Sequence, residues 1–291
     1  MKRRDFVKGS LLGALLPATL VHAAGRGAAR ADPAARIAAL EHRHGGRLGV
    51  AILDTGSGHR VAHRGGERFL MCSTFKVLAV AAVLARIDRG QERPERRVVF
   101  GREVLLSHSP VTRLRTGEPG MRVDELCAAA ITVSDNAAAN LLLSSLGGPK
   151  AVTAFVRGLG DAETRLDRTE PELNLGRPGD LRDTTTPAAA LATLHRILLD
   201  DVLSGDSRQR LLAWMRGCLT GTDRLRAGLP AGWSAGDKTG SGSQGESNDV
   251  AILFPPGRPP LLVTAYYVAP AIDAHVRSAV LAEVGRIAAS L

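Results

Sequence analysis

Apolar, β-branched runs cluster at the two ends of this chain. Leu48 to Leu53 and Arg60 to His63 flank the turn Asp54-Thr55-Gly56-Ser57-Gly58, and Val250 to Phe254 and Leu261 to Val268 flank Pro255-Pro256-Gly257-Arg258-Pro259, so each end reads as a hairpin. Pro33 to His44 has the period of a helix with an apolar face at Ile37 and Leu40, and Ala274 to Leu291 places Val276, Val280, Val284 and Ile287 on one helical face. From Ser73 to Trp214 the chain is rich in Ala and Leu and mostly helical in period, broken at Glu118-Pro119-Gly120, at Gly147-Gly148-Pro149 and along a polar stretch from Asp167 to Thr186. The economical assembly is an α+β fold of two lobes. The two ends (24–68 and 215–291) pair into one antiparallel sheet flanked by helices, and residues 69–214 form an all-helical lobe. The cleft between the lobes is the place to look for a site.

The first residues read as an address and not as part of that fold. Arg3-Arg4-Asp5-Phe6-Val7-Lys8 is a twin-arginine pattern, followed by an apolar stretch from Leu11 to Val21 and the small-x-small sequence Val21-His22-Ala23. That stretch is too short to span a bilayer, and Pro17 interrupts it. The expectation is a signal peptide over 1–23, export through the twin-arginine route, and a mature protein in the periplasm or outside the cell. Of the formal charge of +9, several cations lie in this leader, and the remainder stays basic. Such a balance suits an anionic small substrate. Aromatic residues make up only 3% and the arginines are scattered, which argues against a nucleic-acid platform. Cys72, Cys127 and Cys218 are odd in number and none sits in a Cys-x-x-Cys or Cys/His ligand pattern, so neither a zinc site nor any cofactor is expected.

Four short motifs point to chemistry. Ser73-Thr74-Phe75-Lys76 opens a helical run, so that Ser73 falls at a helix start with Lys76 one turn on and on the same face. A serine hydroxyl is inert at neutral pH unless a base takes its proton, and a lysine stripped of water can do so. Ser134-Asp135-Asn136 begins another helical stretch, and Lys238-Thr239-Gly240 reads as a strand edge whose glycine lets a ligand approach the backbone. Taken singly, these are also N-caps and an edge strand. Glu170-Pro171-Glu172-Leu173-Asn174 is the fourth.

In this order the motifs resemble those of the penicillin-recognising serine enzymes, and the Glu-x-x-Leu-Asn element is similar to that of the class A β-lactamases. The resemblance covers nearly the whole mature chain. It implies hydrolysis of the β-lactam amide of penicillins and cephalosporins through an acyl-enzyme on Ser73, giving antibiotic resistance. Lys238, Thr239 and Ser241 would hold the substrate carboxylate, and the amides of Ser73 and Ser241 would form the oxyanion hole. Ser134 would relay a proton to the leaving nitrogen and Asn136 would orient the acylamide. Glu170 with Asn174 would position the deacylating water, while either Lys76 or Glu170 through a water would activate Ser73. Arg168 and Asp183 match the ion pair that staples the family's Ω-loop, and His108 matches a position at the cleft mouth where many relatives carry an aromatic ring.

Departures from the pattern accompany the match. Ser247 stands where several relatives have an arginine for the substrate carboxylate, and Arg224 occupies a position from which others send one into the same space. The partner of Cys72 in one family disulfide would be Gly242, and that of Cys127 in another falls at about Val80, so three free thiols are expected. A monomer acting on a small-molecule β-lactam, without nucleic acid or a stable membrane attachment, is the expected working form. A penicillin-binding peptidase or a β-lactam sensor would share the first three motifs but give Glu170 and Asn174 no task.

Overall fold

The computed structural model describes residues 32–177 and 179–291; the signal peptide read over 1–23 lies outside the described residues. Helix α1 (Pro33–His44) begins where the Asp32 carboxylate accepts the Ala34 N–H and Pro33 supplies a first helical residue that needs no donor. Strands β1 (Arg47–Asp54), β2 (Arg60–His63) and β3 (Phe69–Leu70) lead to α2 (Phe75–Asp88), and β4 (Arg97–Val98) and β5 (Met121–Arg122) lead to α3 (Val123–Thr132). Then come α4 (Asn136–Leu146), α5 (Pro149–Gly158), β6 (Thr184–Thr185), α6 (Pro187–Leu199) and α7 (Gly205–Arg216). The chain closes with β7 (Ser234–Ser241), β8 (Glu246–Phe254), β9 (Leu261–Val268) and α8 (Ala274–Ala288).

The two hairpins meet as the sequence requires. The sheet order is β2-β1-β9-β8-β7, antiparallel throughout, and the ends of the chain join along β1 and β9 from Arg47 opposite Val268 to Asp54 opposite Leu261. Alternation along β1 then sorts the core: Leu48, Val50 and Ile52 pack with Ile37 and Leu40 of α1 and Val280 and Val284 of α8. Ala51 and Leu53 face the other way, into a second core that runs without a break into α2, α3 and α4. Each fully buried aliphatic side chain of this kind is worth ~1.5–3 kcal/mol relative to exposure.

Helix α6 departs from the expected division. Its residues fall in the segment read as the helical lobe, yet Leu191, Leu194 and Ile197 share the core of the inner sheet face, and the Thr264 hydroxyl donates to the Pro187 carbonyl at 2.8 Å. Its period is that of any amphipathic helix, and periodicity does not tell a helix packed on helices from one packed on a sheet. The small pairing of β3 with β6, Phe69 opposite Thr185 and Leu70 opposite Thr184, ties the approach to Ser73 to the end of the polar Ω-loop.

One close crossing positions the loop that carries Arg224. The 3₁₀ turn Leu225–Gly228 runs over α8 at Gly285, where an added Cβ would stand 2.1 Å from the Leu225 carbonyl oxygen. Gly285→Ala is therefore expected to destabilise the protein by ~1–3 kcal/mol despite the better helix propensity of alanine. Urea denaturation measures this, and a gain in stability would show that the two backbones do not meet there.

Candidate active site

The nucleophile candidate is presented by a turn held from two sides. Asn248 on β8 donates its amide to the carbonyls of Leu70 and Met71 at 2.9 and 3.1 Å. On β7, Gly240 passes so close to this turn that a Cβ would lie 2.7 Å from the Met71 oxygen, which is why the third residue of Lys-Thr-Gly carries no side chain. Cys72 is left in the left-handed region, with φ of 47°, a conformation that costs ~1–3 kcal/mol in a residue with a Cβ and is kept only where surrounding contacts enforce it. Ser73 follows in a single 3₁₀ turn, Cys72–Thr74, that runs directly into α2, and its hydroxyl remains partly exposed.

One turn along α2, Lys76 is fully buried. Its ammonium donates to Asn136 Oδ1 at 2.6 Å, to the Ser134 carbonyl at 2.8 Å and to Ser134 Oγ at 3.2 Å, and lies 3.2 Å from Glu170 Oε1. Burial lowers its pKa, and the carboxylate of Glu170 opposes that shift. Ser134 itself has left-handed backbone, φ of 58°, at the junction of α3 and α4. Asp135 then caps α4 through Ala138 and also accepts from the backbone of Val111 and Thr112 and from the Thr112 hydroxyl, which anchors the segment bearing His108.

Glu170 is brought to the same point by the Ω-loop. Ser73 Oγ donates directly to Glu170 Oε1 at 3.1 Å, and Asn174 Nδ2 donates to Glu170 Oε2 at 2.5 Å. The loop is fastened at its ends: Arg168 Nε meets Asp183 Oδ2 at 2.5 Å, and the backbone amides of Asp167 and Arg168 donate to Asp183 Oδ1 at 2.7 and 2.9 Å. A residue that the sequence reading passed over secures the middle. Asn140 accepts from the Glu170 N–H at 3.0 Å and donates to the Glu170 carbonyl at 2.8 Å. Its signal was available, because Asn140 lies four residues after Asn136 on the same face of α4.

The far wall is β7. Lys238, also fully buried, donates to Ser134 Oγ at 3.1 Å, and burial followed by the charge of Lys76 pushes its pKa down to about 7. The Thr239 hydroxyl lies 2.5 Å from that of Thr220, a second residue that sequence reasoning missed. Arg224 does reach this strand: its guanidinium donates to the carbonyls of Gly240 and Asn248 at 2.8 and 2.6 Å and to Ser241 Oγ at 2.7 Å. Neighbouring Arg226 is no bare surface arginine, since it pairs with the buried Asp237. Ser247 is buried and its hydroxyl accepts from Arg277 Nε of α8 at 3.0 Å. His108 is exposed, with Nε2 2.9 Å from the Val133 carbonyl. The three thiols are free and buried, and a Cβ at Gly242 would lie 3.1 Å from Cys72 Sγ. Among the described residues, no group of three His, Cys, Asp or Glu side chains is arranged to hold a metal ion.

Comparison with known proteins finds the same two-lobed α+β fold. The model of the β-lactamase enzyme family matches residues 32–290. β-Lactamase L2 of Stenotrophomonas maltophilia is 48% identical over 99% of this chain and 98% of its own length, and β-lactamase AST-1 of Nocardia asteroides is 49% identical over 88% of this chain and 82% of its own. The solved structure of an ancestral (GNCA) class A β-lactamase superposes with a TM-score of 0.86 at 59% identity, covering 88% of this chain and 98% of that one. The chain belongs to the β-lactamase enzyme family, in its class A serine branch.

The Ω-loop staple yields a prediction. Asp183 is fully buried and accepts from two amides and a guanidinium, so Asp183→Ala leaves Arg168 without its counter-charge and is expected to cost ~3–5 kcal/mol. Thermal unfolding of the purified variant measures it; an unchanged midpoint would show that the loop is held elsewhere.

Proposed function

We propose that this protein hydrolyses the β-lactam amide of penicillins and cephalosporins through an acyl-enzyme on Ser73, and so confers resistance to them. The observation that carries the mechanism is the direct hydrogen bond from Ser73 Oγ to Glu170 Oε1 at 3.1 Å. It favours Glu170 over Lys76 as the group that receives the serine proton: Lys76 faces four oxygen atoms within 3.2 Å, and an ammonium so engaged has no lone pair to offer. In this reading Lys76 is cationic as Ser73 attacks and stabilises charge beside the attacking oxygen. The Ser73 and Ser241 amides receive the carbonyl oxygen as it becomes an oxyanion, each donor being worth ~3 kcal/mol.

The hydroxyl of Ser134 is oriented for the next step. Both Lys76 and Lys238 donate to its oxygen, so its own proton points away from them and passes to the leaving nitrogen while Lys76 gives Ser134 a proton in its place. Lys76, 3.2 Å from Glu170 Oε1, takes back the proton that Glu170 received from Ser73, so that the ammonium and the carboxylate are both restored before deacylation. Ser241 is oriented in the same way: Arg224 donates to its oxygen, and its O–H is left for the substrate carboxylate, alongside Lys238 and Thr239. Asn136, its Oδ1 held by Lys76, has its amide N–H groups left for the acylamide. Glu170 and Asn174 then hold the water that cleaves the ester. A peptidase or sensor would leave the fastening of Glu170 by Asn140, Asn174 and the Arg168–Asp183 pair without a task, which is why the hydrolase is preferred.

The remaining features belong to the same reading. Residues 1–23 serve as a twin-arginine signal and 24–291 as a monomeric catalytic unit in the periplasm or outside the cell; no described helix is long and apolar enough to cross a membrane. His108 lines the mouth of the cleft.

Two experiments test this function. Ser73→Ala is expected to lose nearly all nitrocefin hydrolysis while remaining folded, whereas Glu170→Ala, which lacks both the proton acceptor and the carboxylate that holds the deacylating water, is expected to acylate slowly with benzylpenicillin and then to keep a covalent adduct of the penicillin mass, read by intact-protein mass spectrometry. Rapid turnover by either variant would remove its residue from the mechanism. Arg224→Ala is expected to lower kcat/KM for benzylpenicillin by roughly one to two powers of ten, the worth of a charge-assisted contact of ~1.5–3 kcal/mol, and to lower stability as well because the carbonyls of Gly240 and Asn248 lose their donor, so the kinetics are taken on the folded fraction. Wild-type kinetics would mean that the carboxylate is met by Lys238, Thr239 and Ser241 alone.

A further inference from the structure

On the strand that carries Lys238 and Thr239, and on its neighbour β8, are two carboxyl groups that the mechanism does not use. Asp237 and Asp249 are both fully buried. In the β7–β8 register Asp237 faces Ala251 and Thr239 faces Asp249, so the two aspartates are diagonal neighbours on the same face of adjacent strands. One oxygen of each is accounted for: Asp237 Oδ1 accepts from Arg226 Nε at 2.7 Å, and Asp249 Oδ2 accepts from the Leu225 N–H at 3.2 Å. The other oxygens, Asp237 Oδ2 and Asp249 Oδ1, are buried without any donor. Gly221 packs closely against Asp237 Oδ2, where a Cβ would stand 1.8 Å away.

Two buried carboxylate oxygens without donors are costly, and on diagonal neighbours a proton carried by one acid and donated to the other would satisfy both. We propose that Asp237 and Asp249 share one proton at neutral pH, with Asp249 as the neutral acid, its O–H donating to Asp237 Oδ2, and Asp237 as the carboxylate paired with Arg226. Asp249 is then a positioning residue: its remaining oxygen holds Leu225, the residue after Arg224. The surroundings agree. Burial, and after it the charge of Asp237, pushes the pKa of Asp249 well above the ordinary carboxylate value, against the opposing charges of Arg224 and Lys238. Arg226 faces the pair from the 3₁₀ turn, and the Cys218 thiol, itself pushed up by burial, adds no charge at neutral pH.

The proton matters for the charge that a substrate meets. With Asp249 ionised, the nearby cations Arg224, Arg226 and Lys238 would face two anions; with it neutral they face one, and Arg224 keeps a charge to present through Ser241. This consequence rests on the proposed function, but the shared proton does not.

The test uses the full chain and Asp249→Asn, whose amide can donate to Asp237 Oδ2 and accept from Leu225. A native state that keeps a proton which the unfolded chain releases loses stability as pH rises from the ordinary carboxylate range toward the raised native pKa. The unfolding equilibrium constant of the wild type relative to Asp249→Asn is therefore expected to grow about tenfold per pH unit across that window, measured by urea denaturation. Parallel curves would overturn the proposal. Infrared spectroscopy of wild-type protein carrying ¹³C-carboxyl aspartate is expected to show a neutral-acid carbonyl band at pH 7. Its absence would overturn the proposal even if Asp249→Asn failed to fold. If the wild type turned over no β-lactam at all, the proposed function would fail while the denaturation and infrared results still decided the shared proton.

Discussion

The burial of the Lys76 ammonium is the constraint around which the rest of the molecule is arranged. A cation removed from water needs oxygen atoms on every side of its donors, and α2 has none to give, because its own backbone oxygens are engaged along the helix. The partners come from separate places in the chain: the carbonyl and hydroxyl of Ser134, the amide oxygen of Asn136 and the carboxylate of Glu170. Bringing them together requires α4 to start beside α2 and the Ω-loop to fold back over both. Strained backbone at Ser134 and at Asp183, with φ of 58° and 59°, marks where the chain bends to comply.

The same arrangement explains why a second buried lysine is tolerated a short distance away. Lys238 shares Ser134 Oγ with Lys76, and burial, followed by the repulsion between the two, pushes Lys238 down to about 7. An anion arriving at β7 relieves that repulsion, so the unliganded site is poised for a carboxylate. Such a pocket is purchased with folding stability: two ammonium groups are held dry, and only one of them lies against a carboxylate. The compensating term is the apolar core continuous between the inner face of the sheet and helices α2, α3, α4 and α6.

Much of this was legible in the sequence because chemistry and spacing were local. The hairpins, α1 and the ordered motifs around Ser73, Ser134, Glu170 and Lys238 each show themselves within a few residues, and the geometry brings the four motifs to one point. What was not legible depends on contacts between distant segments. That Ser73 touches Glu170 directly is set by the height at which the Ω-loop is pinned, through Asn140 and through Asp183. Arg224 and Arg226 stand two residues apart, and nothing in the local sequence says that one lies along β7 toward Ser241 while the other turns onto Asp237. Helix α6 likewise has an ordinary amphipathic pattern, and only the tertiary structure shows that its apolar face meets the sheet.

The end of β7 shows how the placing of one cation depends on the backbone that carries it. On the neighbouring strand β8, Ser247 offers no charge, and its hydroxyl accepts from Arg277. The guanidinium beside Ser241 comes from Arg224, on a turn whose path is set by the Gly285 crossing and by the bond from Leu225 to Asp249. A guanidinium carried on a strand is held by the ladder that forms the sheet. One carried on a turn is held only as well as the turn is, and here the turn is tied at both ends of its first residues, with Arg224 on the carbonyls of Gly240 and Asn248 and Arg226 on Asp237. The charge needed at the mouth of β7 is thus coupled to two acids on β7 and β8, and the geometry of Arg224 depends on residues that no substrate touches.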